Sequence, residues 1–176
     1  MSFARWDTRL GHVWVALSYR PLDTSLAVWR ASARLAQAFG RERIFFDGYA
    51  RQDGDAGADG GALFAGAAPC VVLFIGAAWN GLAMLDPADA PRREAEAALI
   101  NPSSTLIPVL VDGADMPRAE HLPRSLRPLA ERTSLRLASG PDHDVQLERL
   151  VRTIQLRLVQ AGVAAPLSSA ASQSCR

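Results

Sequence analysis

Few residue types in this chain are able to do chemistry. All 19 basic residues are arginine, which removes a P-loop lysine, a Schiff-base lysine and any other mechanism that needs an ammonium group. The two cysteines, Cys70 and Cys175, lie far apart in unlike surroundings, so neither a disulfide framework nor a zinc site with paired ligands is indicated. His12, His121 and His143 are scattered without metal-ligand spacing, and no metal is expected. Ser18 lacks the Gly-x-Ser-x-Gly setting of an activated nucleophile and reads as a strand-end hydroxyl. What remains is carboxylate, guanidinium and aromatic ring. A carboxylate fixed in a crevice stabilises a developing cation, a guanidinium offers planar donors to a diphosphate, and an aromatic ring stacks on a base.

Strand and helix signals alternate along the chain. His12 to Ser18 is short, β-branched and aromatic, and stops at Tyr19-Arg20-Pro21, as a buried strand does. A helix is expected next, capped by Asp23 or Thr24 and closed by Gly40, with Leu26, Trp29, Ala33, Leu35 and Ala36 on its inner face. Arg43 to Phe46 reads as a second strand, followed by a Gly/Asp-rich loop over 47–58 and a weak, glycine-interrupted helix over 58–68. Cys70 to Ile75, bounded by Pro69 and Gly76, is a fully buried strand. Asp89 is a good N-cap and Pro91 suits a first turn, so a helix runs to Ile100. Thr105 to Val111 is the fourth strand despite Pro108, and Thr133 to Leu137 the fifth, at an edge. A last helix over 142–160 aligns Leu147, Leu150, Val151, Ile154 and Leu158.

This alternation predicts an α/β, flavodoxin-like fold: five parallel strands in the order 2-1-3-4-5 with helices on both faces. In such sheets the ligand crevice opens at the carboxyl ends of the strands where the order reverses, here strands one and three. Those ends are Ser18-Tyr19-Arg20 and Gly76-Ala77-Ala78-Trp79.

Several segments also resemble a known family in order. Leu17-Ser18-Tyr19-Arg20 with Asp23 is similar to the strand-one signature of bacterial Toll/interleukin-1 receptor (TIR) domains. Phe39-Gly40 and Arg43 to Asp47 resemble the second strand and the start of the interaction loop, and Ile75 to Trp79 resembles the turn after strand three. Glu94 to Leu99, Ile107 to Pro117 and Leu122 to Ala130 complete a pattern that spans residues 12 to 158. The resemblance implies one of two functions: cleavage of NAD+ at the nicotinamide–ribose bond, or non-catalytic signalling by association with other TIR domains. It places the catalytic glutamate at Glu94, with Ser18, Tyr19, Arg20, Asp47, Gly76 and Trp79 around NAD+ as substrate, and implies no permanently bound cofactor. Glu96, two positions on, points elsewhere on the helix. Enzymatic members carry a large aromatic four residues before the glutamate, where this chain has Ala90.

Composition sets the frame. A chain of 176 residues, 49% hydrophobic and with 19 basic against 18 acidic side chains, is one globular domain with no nucleic-acid footprint. Cysteine usage and charges at Arg5 and Asp7, too early for an export signal, point to the cytoplasm. The charge-free stretch Gly60 to Leu85 is interrupted by Gly and Pro and reads as two elements of a core rather than a membrane span. The expected organisation is an N-terminal extension over 1–11, a TIR-type domain over 12–161, and an Ala/Ser-rich disordered tail or linker over 162–176.

Overall fold

A computed structural model describes residues 13–48, 65, 67–80 and 82–163. Its five strands, β1 (Val15–Ser18), β2 (Ile44–Phe45), β3 (Cys70–Ile75), β4 (Thr105–Val111) and β5 (Leu135–Leu137), form one sheet in the order β2-β1-β3-β4-β5, parallel at every pairing. The expected flavodoxin-like arrangement is the one observed.

The inner strands β1, β3 and β4 are buried on both faces because their alternating side chains feed two separate cores, whereas the edge strand β5 leaves Arg136 exposed. Val15, Leu17 and Tyr19 join Cys70, Val72, Phe74, Ile107, Val109 and Leu137 on one face. They pack under helices α1 (Pro21–Phe39) and α3 (His143–Gln160). On the other face Ala16, Phe45, Val71, Leu73, Ile75 and Leu110 lie under helix α2 (Ala90–Ile100) and the 3-10 helix Arg124–Glu131. The odd–even rule therefore sends Ser18 and Arg20 toward α2 while Tyr19 turns toward α1.

The predicted bounds of β3 and β4 match, and so does the α3 stripe, whose five apolar residues are all buried. Pro108 is tolerated because β5 pairs only with Val109–Val111, leaving one side of β4 open where the proline lies. The described part of the charge-free stretch contains β3 and the 3-10 turns Ala77–Asn80 and Leu82–Leu85, and no helix among the described residues is long and apolar enough to cross a membrane. The 47–58 loop beyond Gly48, most of the 58–68 helix, the N-terminal extension and the tail beyond Val163 lie outside the described residues.

Two expectations about α1 need correction. The helix starts at Pro21, with Arg20 at the N-cap, rather than after Asp23 or Thr24. Proline already has a helical φ and has no N–H to leave unpaired, so the strand turns into the helix through only two residues, Tyr19 and Arg20. Thr24 Oγ1 donates back to the Arg20 carbonyl at 2.9 Å. The inner face is also rotated: Thr24, Ala27, Val28, Ala31, Ser32, Leu35 and Phe39 are buried, whereas Leu26 is 62% exposed and Trp29 36%. Ala27 and Ala31 let the helix approach the sheet closely, and the larger Leu26 and Trp29 are left on the flank. Trp29 there meets Phe46 edge-on, with ring centroids 4.7 Å apart.

Asp23, no longer needed as a cap, crosses to the turn after β3 and accepts a hydrogen bond from the Ala78 N–H at 2.6 Å. The crossing requires Gly76. A Cβ there would collide with the Asp23 carboxylate and come within 2.7 Å of Thr24 Cγ2. Gly76→Ala is therefore expected to destabilise the fold by about 2 kcal/mol. Urea denaturation checks this, and pairing it with Asp23→Ala should recover part of the loss.

Candidate functional site

The carboxyl ends of β1 and β2 and the first turns of α2 converge on Glu94. Asp89 is the N-cap of α2, its Oδ2 accepting from the Arg92 N–H at 3.1 Å, and Pro91 occupies the first turn as expected. Glu94 follows a turn and a half later, on the part of α2 that packs over β1 and β3.

Arg20 reaches α2 from the end of β1. Its Nη1 donates to Asp89 Oδ1 at 2.8 Å and its Nη2 to Asp89 Oδ2 at 2.9 Å, a planar fork onto a carboxylate. Nη2 also lies 3.2 Å from Met84 Sδ. The two side chains are only 11% and 10% exposed, so this is a buried ion pair rather than a surface one. The donors expected to face a diphosphate are held by Asp89.

Ser18, two residues earlier on the same face of β1, stands close enough to Glu94 to act on it electrostatically, although its buried Oγ completes no hydrogen bond. Burial pushes the Glu94 carboxyl up to about 7, the Ser18 hydroxyl pulls it down, the negative charges of Asp47 and Asp89 push it up again, and Arg93 lowers it. Glu94 thus exchanges its proton near neutrality, as a group that must be both available and reactive does. Glu96 is the opposite case. Burial would raise its carboxyl, but hydrogen bonds from Ser125 Oγ at 2.6 Å and Arg92 Nε at 2.8 Å, with the Arg92 charge, hold it below the usual carboxylate range.

The residues expected around a ligand therefore separate. Ser18, Arg20 and Asp47 gather about Glu94 and Asp89. Tyr19 lies on the other face of the sheet, in the core under α1, its ring centroid 5.5 Å from that of Phe46. Trp79 is fully buried among Ile75, Met84 and Leu126, so the expectation that it stacks on a base is corrected: its ring is core. Gly76 serves the approach of Asp23 rather than that of a ligand. Asp89 is the residue that sequence reasoning took only for a cap. Ala90, one turn before Glu94, is exposed, so no side chain at that position shields the carboxyl.

Among the described residues no cluster of His, Cys, Asp and Glu could hold a metal ion. Cys70 is buried, its thiol pushed up to about 12 by burial and lowered only slightly by Arg157, which makes it inert. A groove of about 500 Å³ between α1 and α3, lined by Arg30, Arg34, Gln37 and Asp144, lies on the far face of the sheet from Glu94. No family model matches the chain, and no curated protein matches it.

Because the folded state raises the Glu94 pKa from 4.5 to about 7, its stabilising contribution is complete below pH 4.5 and lost as pH rises through 7. Above that, ionised Glu94 costs on the order of 3 kcal/mol. Glu94→Gln is expected to be near-neutral for stability at pH 4 and stabilising by up to about that amount at pH 8. Urea titrations of the two chains at both pH values check the sign.

Proposed function

We propose that this chain is a TIR-type domain that cleaves NAD+ at the nicotinamide–ribose bond, with Glu94 as the catalytic carboxylate, in bacterial immune or cell-death signalling. The observation that carries this reading is the place of Glu94 itself: on the first turns of α2, beside Ser18 at the carboxyl end of β1 and close to Asp47 and Asp89, next to the point where the strand order reverses. Support for the family comes from the ordered motifs, which coincide with β1, the turn after β3, α2 and β4.

The chemistry asks little of the protein. The C–N bond to nicotinamide breaks with its electron pair moving to the pyridinium nitrogen, so the leaving group departs neutral and needs no acid. The ribose carbon gains positive charge, which the ionised Glu94 carboxylate stabilises more strongly than it does the ground state. Water then bonds to that carbon and releases a proton, giving ADP-ribose; attack by a purine nitrogen of the same molecule gives the cyclic product instead. Since the ionised form is the working one, kcat/KM should rise about tenfold per pH unit below 7 and level off above it.

Nicotinamide release from NAD+ by the purified chain, with and without conditions that promote assembly, tests the proposal. Glu94→Gln is expected to lower release by about 10²- to 10³-fold. No release by the native chain under any condition, or equal release by the variant, would overturn it.

The exposed Ala90 favours a second reading, a non-catalytic module that pairs with other TIR domains through the 47–58 loop. In that case a Gly54→Pro chain loses self-association or partner binding in light scattering while Glu94→Gln keeps both. Unchanged association in Gly54→Pro rules the loop out as the contact.

A further inference from the structure

We infer that Asp89 is a positioning residue for Glu94: gripped by both terminal nitrogens of Arg20 and capping the helix that carries Glu94, it sets where that carboxyl stands relative to β1. The inference rests on the reading of Glu94 as the working carboxyl and adds a residue that neither the motifs nor the chemistry assigned.

Three contacts on one side chain make the case. Oδ1 takes Arg20 Nη1, Oδ2 takes Arg20 Nη2, and Oδ2 also takes the Arg92 N–H. Capping alone does not require an aspartate, since Ser, Thr and Asn cap as well. What only a carboxylate does is accept both arms of the guanidinium fork. The backbone of Arg20 is itself tied down as the N-cap of α1, its carbonyl accepting from Asp23 N, Thr24 N and Thr24 Oγ1. The pair therefore fastens the first turn of α2 to the end of β1. Ser18 on that strand and Glu94 on that helix are brought together by the same fastening.

Asp89 also acts on Glu94 through charge. The charged and hydrogen-bonding groups acting on Glu94 are Ser18 from β1, Asp47 after β2, and Asp89 and Arg93 from α2 itself. Asp47 and Asp89 are the two that favour its protonated form. Removing the Asp89 charge moves the titration of Glu94 directly. A positioning role also lowers the turnover when that charge is kept but displaced.

The test uses the full chain. Carbon-13 labelling of glutamate carboxyls reads the Glu94 midpoint by NMR, and nicotinamide release from NAD+ gives kcat and KM across pH. Asp89→Asn keeps the cap and removes the charge and the double acceptor. It is expected to lower the Glu94 midpoint by about half a pH unit or more, shift the acid limb of kcat/KM with it, and lower kcat about tenfold with a smaller change in KM. Asp89→Glu keeps the charge but misplaces it, so kcat falls while the midpoint stays near that of the native chain.

A midpoint and kcat in Asp89→Asn within about twofold of native behaviour would overturn the inference. If Asp89→Asn does not fold, Asp89→Ser, which also caps, is read by the same titration. Failure of both to fold marks the contact as wholly structural and overturns it too. The NMR midpoint needs no turnover, so a native chain that releases no nicotinamide sinks the catalytic reading of Glu94, while an unmoved midpoint in Asp89→Asn separately overturns the link between Asp89 and Glu94.

Discussion

Two opposite charges withdrawn from water must find each other or be expelled, and at the carboxyl edge of this sheet Arg20 and Asp89 do the former. Their pairing is demanding because each is also fixed by its own backbone, one as the N-cap of α1 and the other as the N-cap of α2. Breaking one side leaves a buried charge unpaired, at a cost of about 3–5 kcal/mol. The junction between strand and both helices is thereby a single cooperative unit. Around it the site is assembled: Ser18 below, Glu94 beyond, and Asp47 arriving from β2.

The two glutamates of α2 show how completely surroundings decide the character of a side chain. Glu94 and Glu96 are separated by one residue on one helix. The first turns toward the Ser18 hydroxyl at the end of β1 and the carboxylates of Asp47 and Asp89; the second turns toward Arg92 and Ser125. The same functional group is thus pushed up to about 7 in one place and held below the usual carboxylate range in the other. Such divergence between neighbouring carboxyls separates a group available for proton exchange from one committed to structure.

Much of the fold was legible before any coordinates, because the strong signals were of the kind that tertiary structure seldom overrides. The continuous apolar runs of β3 and β4, the Asp89–Pro91 start of α2 and the leucine stripe of α3 each combine pattern with punctuation. The inner face of α1 was misjudged because size was weighed above closeness: Leu26 and Trp29 are the larger apolar groups, yet Ala27 and Ala31 fit against the sheet. Asp23 looked like a cap because its partner, Ala78, is remote in sequence. Strand order directs attention to the carboxyl end of β1, and alternation along β1 puts Ser18 and Arg20 on one face. Trp79 was misassigned for the same reason that Asp89 was undervalued. Whether a ring is covered, or a cap is also an ion-pair partner, depends on contacts between segments far apart in the chain.

The crossing of Asp23 over Gly76 has a consequence for how this sequence can change over generations. The carboxylate occupies the space where a side chain at position 76 would begin, so substitutions at the two positions are epistatic. A larger residue at 76 becomes acceptable only after position 23 has been shortened, and shortening position 23 first leaves the Ala78 N–H without its acceptor. Either order passes through a weakened intermediate, which narrows the mutational routes open to the turn after β3 and predicts that related chains hold the glycine and the aspartate together or lack both.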